Sequence, residues 1–449
     1  MIKSTGHADL PLHTGTVPKW LADRMMQLGT LIVESLVLNY GRQEVLTRLS
    51  DPLWFQSLGC VLGMDWHSSG ITTSVMYALK RGLNARANEL GIYICGGRGK
   101  YSRRTPEELA ALSANNGLDA ESLITSSKLC AKVDNTAVQD GFQLYQHNFI
   151  LTKEGDWAVV QQGMNTQTRK ARRYHWCSAN LTSFVEEPHA AVVGQNQGKI
   201  LNLTATQARP TRNTIMEISK EDPYRILKEI KDIAAPPIQF GYGGSIQSDQ
   251  LSLFPEIEKQ AESSAICTSS LIQKKAKEII TIDPSQIIYS GRNIIMPDHH
   301  DVQAQDVDLS RLGAVLATAW ESQPKDFVSL LLTPGLGPRT LQSLTLVSEV
   351  IYGTPSRFND PARFSFAHGG KDGHPFPVPL KIYDESIRVL QDSIEKSKLG
   401  YNDKSQCLQR LHSTALSVEK NCAPQADFQA TLNHENSHSK EWGGKTCFD

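Results

Sequence analysis

Two apolar-rich runs, FQLYQHNFIL from Phe142 and DWAVVQQGM ending at Met164, flank the four residues TKEG. Runs of that length about a short Gly-containing turn read as a β-hairpin. A sheet must therefore form in a chain whose start is otherwise helical. PKWLADRMMQLGTLIVESLVLNYG and GITTSVMYALKRGLNARANELG carry apolar residues at three- and four-residue spacing, and the second stops at Gly91. IYICGG, from Ile92, reads as a short buried strand. In the TPEEL that follows, Thr105 is expected to cap a helix, Pro106 to suit its first turn and Glu108 to complete a capping box. The fold class predicted is mixed α and β, mostly helical. Residues 1–225 form an α+β domain with the candidate chemistry, the Pro-, Gly- and Ser-rich 235–275 a flexible linker, 280–400 a helical domain, and the Asn-, Ser-, Lys- and His-rich 401–449 a disordered tail.

The totals bear on partners. A net charge of -1 supplies no global attraction to a polyanion, so any nucleic-acid surface must be a local cluster. No apolar run reaches the ~18 residues of a membrane span, and the start lacks a signal-peptide core, so a cytoplasmic protein with no membrane partner is expected. The eight cysteines are scattered without a C-x-x-C pair, which reads as reduced thiols.

The clearest local motif is FVSLLLTPGLGPRTLQSLTLVSEVIYG, from Phe327 to Gly353. An apolar helix, a tight P-G-L-G turn and a Pro at the start of a second helix resemble the helix-hairpin-helix motif of many DNA-repair proteins. The resemblance implies that Gly335 and Gly337 let the backbone approach a phosphate, that Leu336 packs between the helices, and that Arg339 and Thr340 add phosphate contacts. An ordinary helix corner is the plainer alternative. A DNA glycosylase is the weaker enzymatic reading. Its lysine position is Arg339, and its aspartate position, Asp360, lies in NDPARFSF, where a turn accounts for it equally well.

In the 235–275 linker, QLSLF (Gln250, Leu251, Ser252, Leu253, Phe254) resembles the sliding-clamp-binding peptide of bacterial replication and repair proteins. A flexible segment that docks Leu253 and Phe254 in a preformed groove would tether the chain at DNA. Several stretches, GHADLPLHTGTVPKWL, LSDPLWFQSLGCVLGMDWHSSGITTSV, GDWAVVQQGMN, ARRYHW and DPARFSFAHGGKDGHPFPV, together resemble the uncharacterised archaeal and bacterial domain-of-unknown-function family 763. That resemblance implies no particular activity.

Four constellations are the candidate chemistry. MDWHSSGITTS offers Asp65 and His67. CGGRGKYSRR offers Arg98, Lys100, Arg103 and Arg104 on a glycine-rich turn with no acid, suited to phosphate but lacking the P-loop spacing. The hairpin and its sequel offer His147, Gln161, Gln162, Arg172, Arg173 and His175. FAHGGKDGHPFPV offers His368, Lys371, Asp372 and His374 in a loop; Asp298, His299 and His300 are weaker. Asp65, His67, His147 and His175 are expected as acid–base groups, with Arg98, Lys100, Arg103, Arg104, Arg172 and Arg173 on phosphate. The function expected is a clamp-tethered, DNA-binding protein of repair or replication that hydrolyses phosphodiester bonds, with a divalent metal left open. A non-catalytic DNA adaptor and an RNA-processing enzyme are the alternatives.

Overall fold

The computed structural model describes residues 10–11, 19–64, 70–168, 170–234, 309–362 and 380–421. These fall into two units: the first runs to Ala208 and resumes at Arg357, and the second holds the helices between Arg209 and Ser356. The fold is mixed α and β and mostly helical.

The first unit opens with β1 (Leu10–Pro11) and a helical run of α1 (Lys19–Tyr40), α2 (Arg42–Ser50), α3 (Pro52–Val61), α4 (Gly70–Asn84) and α5 (Ala87–Leu90). Asp51 separates α2 from α3 and caps α3, accepting the N–H groups of Leu53 at 2.8 Å and Trp54 at 3.1 Å, while Pro52 sits in the first turn where its missing N–H costs nothing. Gly91, at φ +67°, ends α5 and sends the chain into β2 (Ile92–Arg98). Then come α6 (Thr105–Asn116), α7 (Ala120–Lys132), a π-helical turn at Val133–Ala137, and β3 (Val138–Gln139). The expected hairpin is β4 (Gln143–Thr152) and β5 (Trp157–Asn165), and the basic run after it is a further strand, β6 (Lys170–Cys177), followed by β7 (Ala191–Val193) and β8 (Lys199–Asn202).

The main sheet is antiparallel throughout, in the order β1-β6-β5-β4-β2, with β7 also on β6. Its register aligns Ile94, Ile150, Ala158 and Cys177 across four strands. These join Ile92, Val160 and the apolar sides of α1 to α4 in one core. The opposite face receives α6 and α7. Both faces are therefore covered, and the central strands are buried along almost their whole length.

The second unit is helical: α8 (Arg209–Lys220), α9 (Pro223–Ala234), α10 (Leu309–Ser322), α11 (Phe327–Leu331) and α12 (Pro338–Tyr352). Nine successive residues of α12, Thr340 to Ser348, are buried, which makes it the central helix. Three of its hydroxyls are satisfied locally, Ser343, Thr345 and Ser348 each donating to the carbonyl four residues back. The boundary at Arg209 places α8 and α9 here, so the first unit stops earlier than the expected residue 225.

The chain returns to the first unit through β9 (Phe358–Asn359), which pairs with β8, and then α13 (Leu380–Lys396) and α14 (Tyr401–Asn421). The disordered tail expected from residue 401 is corrected over 401–421. There a helix buries Cys407 and Leu411 in the same core as Leu58 and Leu79, because its apolar residues recur at four-residue spacing between polar ones. The linker 235–275 and residues 422–449 lie outside the described residues.

Candidate functional site

Period-two alternation sorts the polar residues of β4, β5 and β6 onto opposite faces of the sheet. Gln146, Gln162 and Arg173 are aligned across the three strands, as are Asn148, Val160 and His175, on the face that carries α3 and α4. His147, Gln161 and Tyr174 are aligned on the other. His147 and His175, expected in one acid–base set, are thus separated by the sheet.

On the α3/α4 face, Arg173 donates to His175 Nε2 at 2.8 Å, to Gln56 Oε1 at 3.0 Å and to Thr72 Oγ1 at 3.4 Å, with its guanidinium 4.7 Å from the Phe55 ring centre. Since Nε2 of His175 accepts, its proton is on Nδ1, which donates to the Leu49 carbonyl at 3.1 Å. Burial, reinforced by the Arg173 charge, holds His175 well below the ordinary imidazole range, and burial pulls Arg173 down to about 9. Gln146 donates to the Thr72 carbonyl and to Asn148, leaving its own Oε1 without a partner.

The other face holds a relay whose proton positions follow from its fixed acceptors. Gln161 Nε2 donates to the Cys130 carbonyl at 3.0 Å and to the Asp134 carboxylate. Its Oε1 must then accept, so His147 Nδ1, 2.7 Å away, carries the proton. His147 Nε2 is left to accept from Ser127 Oγ at 2.9 Å. Burial keeps this imidazole below its ordinary range and so neutral. Asp134, placed by the π-helical turn, also accepts from Trp176 Nε1 at 2.9 Å and pairs with His189.

Further along that face Arg172 sits between two carboxylates. It donates to Asp140 at 2.9 Å and to both oxygens of Asp360 at 2.9 and 2.8 Å. Tyr174 donates to Asp140 at 2.6 Å, and the Gln197 and Ala362 amides donate to Asp360. Burial raises the Asp140 carboxyl against the pull of Arg172. Burial also opposes the charge of Arg172, but Asp360 and Asp140 together keep it firmly ionised. Arg172 and Arg173, expected on phosphate, are therefore corrected to wholly buried positions, because both faces of β6 are covered. Asp360, the residue considered for a glycosylase, is spent on this ion cluster and on an Asx turn.

The glycine-rich turn is different. Arg98, Lys100, Arg103 and Arg104 are all exposed on β2's end and the 3-10 turn Gly99–Arg104. Gly96, at φ +81°, packs where a Cβ would come within 2.3 Å of the His147 carbonyl oxygen, so only glycine fits. Glu108 accepts from the Gly96 amide at 2.9 Å and from Lys80 at 2.8 Å. The capping box expected at Thr105 is absent: Thr105 is already helical and donates to the Ser102 carbonyl, and Glu108 is used to tie down the turn.

In the second unit, the P-G-L-G turn joins α11 to α12. Gly335 takes φ +82°, Leu336 is fully buried, and Gly337 precedes α12 in extended backbone. The residue before α12, Gly337, supplies no capping side chain. Arg339 is exposed, while Thr340 is buried with Oγ1 unpartnered. A Cβ on Gly337 would lie 3.5 Å from Arg311 Nη2, which places a second guanidinium beside this turn. Arg311 gave no signal in the sequence, since α10 brings it there from a distance. Ser127 and Asp134 were missed for a similar reason, as isolated polar residues of an amphipathic helix and its end. Asp65, His67, Gln250 to Phe254, Asp298 to His300, His368, Lys371, Asp372 and His374 lie outside the described residues. Among the described residues no group of three or more His, Cys, Asp or Glu could hold a metal ion, and no helix is long and apolar enough to cross a membrane. The described cysteines, Cys60, Cys95, Cys130, Cys177 and Cys407, are buried and form no disulfide among the described residues, and burial pushes the Cys95 thiol up to about 12.

An α+β unit with a polar sheet interior and a helical unit with an uncapped, glycine-turned helix define the class. The chain belongs to the family described as Protein of unknown function (DUF763), whose model matches residues 6–378. No curated protein and no solved structure matches it.

Proposed function

We propose that the chain is a DNA-binding protein of repair or replication that holds duplex backbone at the turn before α12. One observation carries the reading: α12 begins at an extended glycine without a capping side chain, beside exposed Arg339 and the Arg311 guanidinium. The N–H groups of a helix's first turn have no intrahelical acceptors, so amides there can take a phosphate oxygen while the arginine adds charge. Such contacts read backbone rather than sequence. Gly337→Ala tests this without harming the fold, because its φ of -124° suits any residue and the new Cβ would meet only an ordinary contact. The methyl group would shield the amides. Duplex affinity should fall roughly tenfold, the equivalent of one charge-assisted hydrogen bond; unchanged affinity would refute the reading.

The QLSLF peptide supports a sliding-clamp tether in the same reading. Leu253→Ala with Phe254→Ala should abolish clamp pull-down, and equal retention would remove the tether.

A second reading, a phosphodiester-processing enzyme, rests on the Ser127–His147–Gln161 relay, whose buried Ser127 would have to be uncovered for a substrate to reach it. Nucleophile-to-base and base-to-orienter spacings of 2.9 and 2.7 Å are those of an activated hydroxyl. Ser127 Oγ would bond to phosphorus as its proton passes through His147 Nε2 to the departing oxygen, and water would then release Ser127. Loss of cleavage of nicked, flapped or abasic duplexes in Ser127→Ala is the expected result. Cleavage at the wild-type rate would leave the binding role alone.

A further inference from the structure

The end of edge strand β2 forms a surface that duplex binding in the second unit leaves unused. Asn84 of α4 donates to the Ile94 carbonyl at 2.9 Å and accepts its amide at 2.8 Å. Four residues earlier, Lys80 donates to the Gly96 carbonyl at 2.7 Å. The Thr72 carbonyl meets Gln146, the strand partner of Arg98. Four residues of helix rise about 6 Å and two of strand about 6.6 Å, so from Asn84 to Lys80 α4 runs antiparallel alongside β2. Tyr77 lies one helical turn before Lys80 and beside Arg81.

Three tyrosines meet three cations in this part of the unit. Tyr101 and Tyr77 are 48% and 57% exposed. Lys100 Nζ lies 5.5 Å from the Tyr101 ring centre, Arg98 Cζ 5.8 Å from that of Tyr145, and Arg81 Cζ 5.5 Å from that of Tyr77. Arg81 also pairs with Asp23 at 3.0 Å, and Glu107 is exposed on the first turn of α6. Arg98 and Lys100, however, lie against rings, and among the described residues neither pairs with a carboxylate. Tied to Glu108 and shaped by Gly96, the turn is held in place rather than left as a loose basic loop.

We propose that this surface takes single-stranded DNA, with an unstacked base on Tyr101 and the adjoining phosphates on Arg98 and Lys100. An exposed ring offers nothing to a duplex, whose base faces are already stacked. On a single strand every base has a free face, and cations beside the ring meet its phosphates. This deepens the DNA reading above: the substrate class becomes DNA that carries a single-stranded segment.

The test uses the full chain and a labelled oligothymidylate, with a labelled duplex in parallel. Tyr101→Ala should weaken oligothymidylate binding about tenfold, and Tyr101→Phe should restore it, since stacking needs the ring and not the hydroxyl. Arg98→Ala and Lys100→Ala should each reduce the slope of log affinity against log salt by about 0.7. Tyr101→Ala with wild-type affinity for the single strand would overturn the proposal, as would a wild-type chain that does not bind it. Gly337→Ala separates the two readings. Its failure to weaken duplex binding would count against the turn before α12 alone, whereas the single-strand proposal stands or falls on Tyr101, Arg98 and Lys100.

Discussion

Arg172 and Arg173 are neighbours in sequence and meet different surroundings. Arg172 is locked between Asp140 and Asp360, and Arg173 is stacked on Phe55 and bonded to His175 and Gln56. Asp360 accepts both guanidinium nitrogens, so Asp360→Ala leaves a buried charge half-compensated. We predict a loss of about 3–5 kcal/mol in unfolding free energy by urea titration. A change below about 1 kcal/mol would mean that the cluster does not hold β6 to the returning chain. The two histidines give the pH dependence. Both are held below the ordinary value of 6.5 by burial. The folded chain then stays neutral where the unfolded chain takes up protons, so the stability they contribute is present above about pH 6.5 and lost as pH falls. Each adds a slope approaching about 1.4 kcal/mol per pH unit. Asp140 acts in the opposite sense as its raised carboxyl titrates, one proton against two. Unfolding midpoints measured from pH 8 to pH 5 should fall on the acid side; a flat profile contradicts the buried, neutral assignment.

At the scale of elements, α14 matters most to how the first unit is bounded. Arg410 donates to the Val61 carbonyl at 3.0 Å, and Cys407 and Leu411 complete the core around α3. Truncation after Gly400 should therefore lower the melting temperature of the first unit; a truncated chain with an unchanged transition would show that this helix is dispensable. The composition of residues 401–421 hides this, because Asn, Asp, Lys, Ser and Gln dominate and only a few apolar residues mark the buried side. Strong periodicity made α1, α4 and the β4–β5 hairpin legible, and the P-G-L-G turn stands where the sequence placed it. TRKARRYHW was harder. A run of cations suggests a solvated surface, whereas β6 buries alternate residues on two covered faces and compensates Arg172 with carboxylates from distant positions. Pairing of that kind depends on topology, which local patterns do not encode. The same limit explains why His147 and His175 looked like one site: their separation depends on strand alternation and on what covers each face.

For the whole molecule, the two proposed DNA contacts lie on separate units. The first unit presents a rigid turn of arginine, lysine and tyrosine, and the second a helix start without a side-chain cap. With a net charge of -1, neither can rely on a general field, so the proposed binding rests on these local contacts and is expected to be sensitive to salt. The central claim is that the turn before α12 holds a DNA phosphate. The most direct measurement is duplex affinity of wild type and Arg339→Ala across a salt series. Arg339 is exposed, so its side chain can be removed with little expected effect on the fold. Loss of one phosphate contact should weaken binding and reduce the slope of log affinity against log salt by about 0.9. An Arg339→Ala chain with the affinity and slope of wild type would contradict the account.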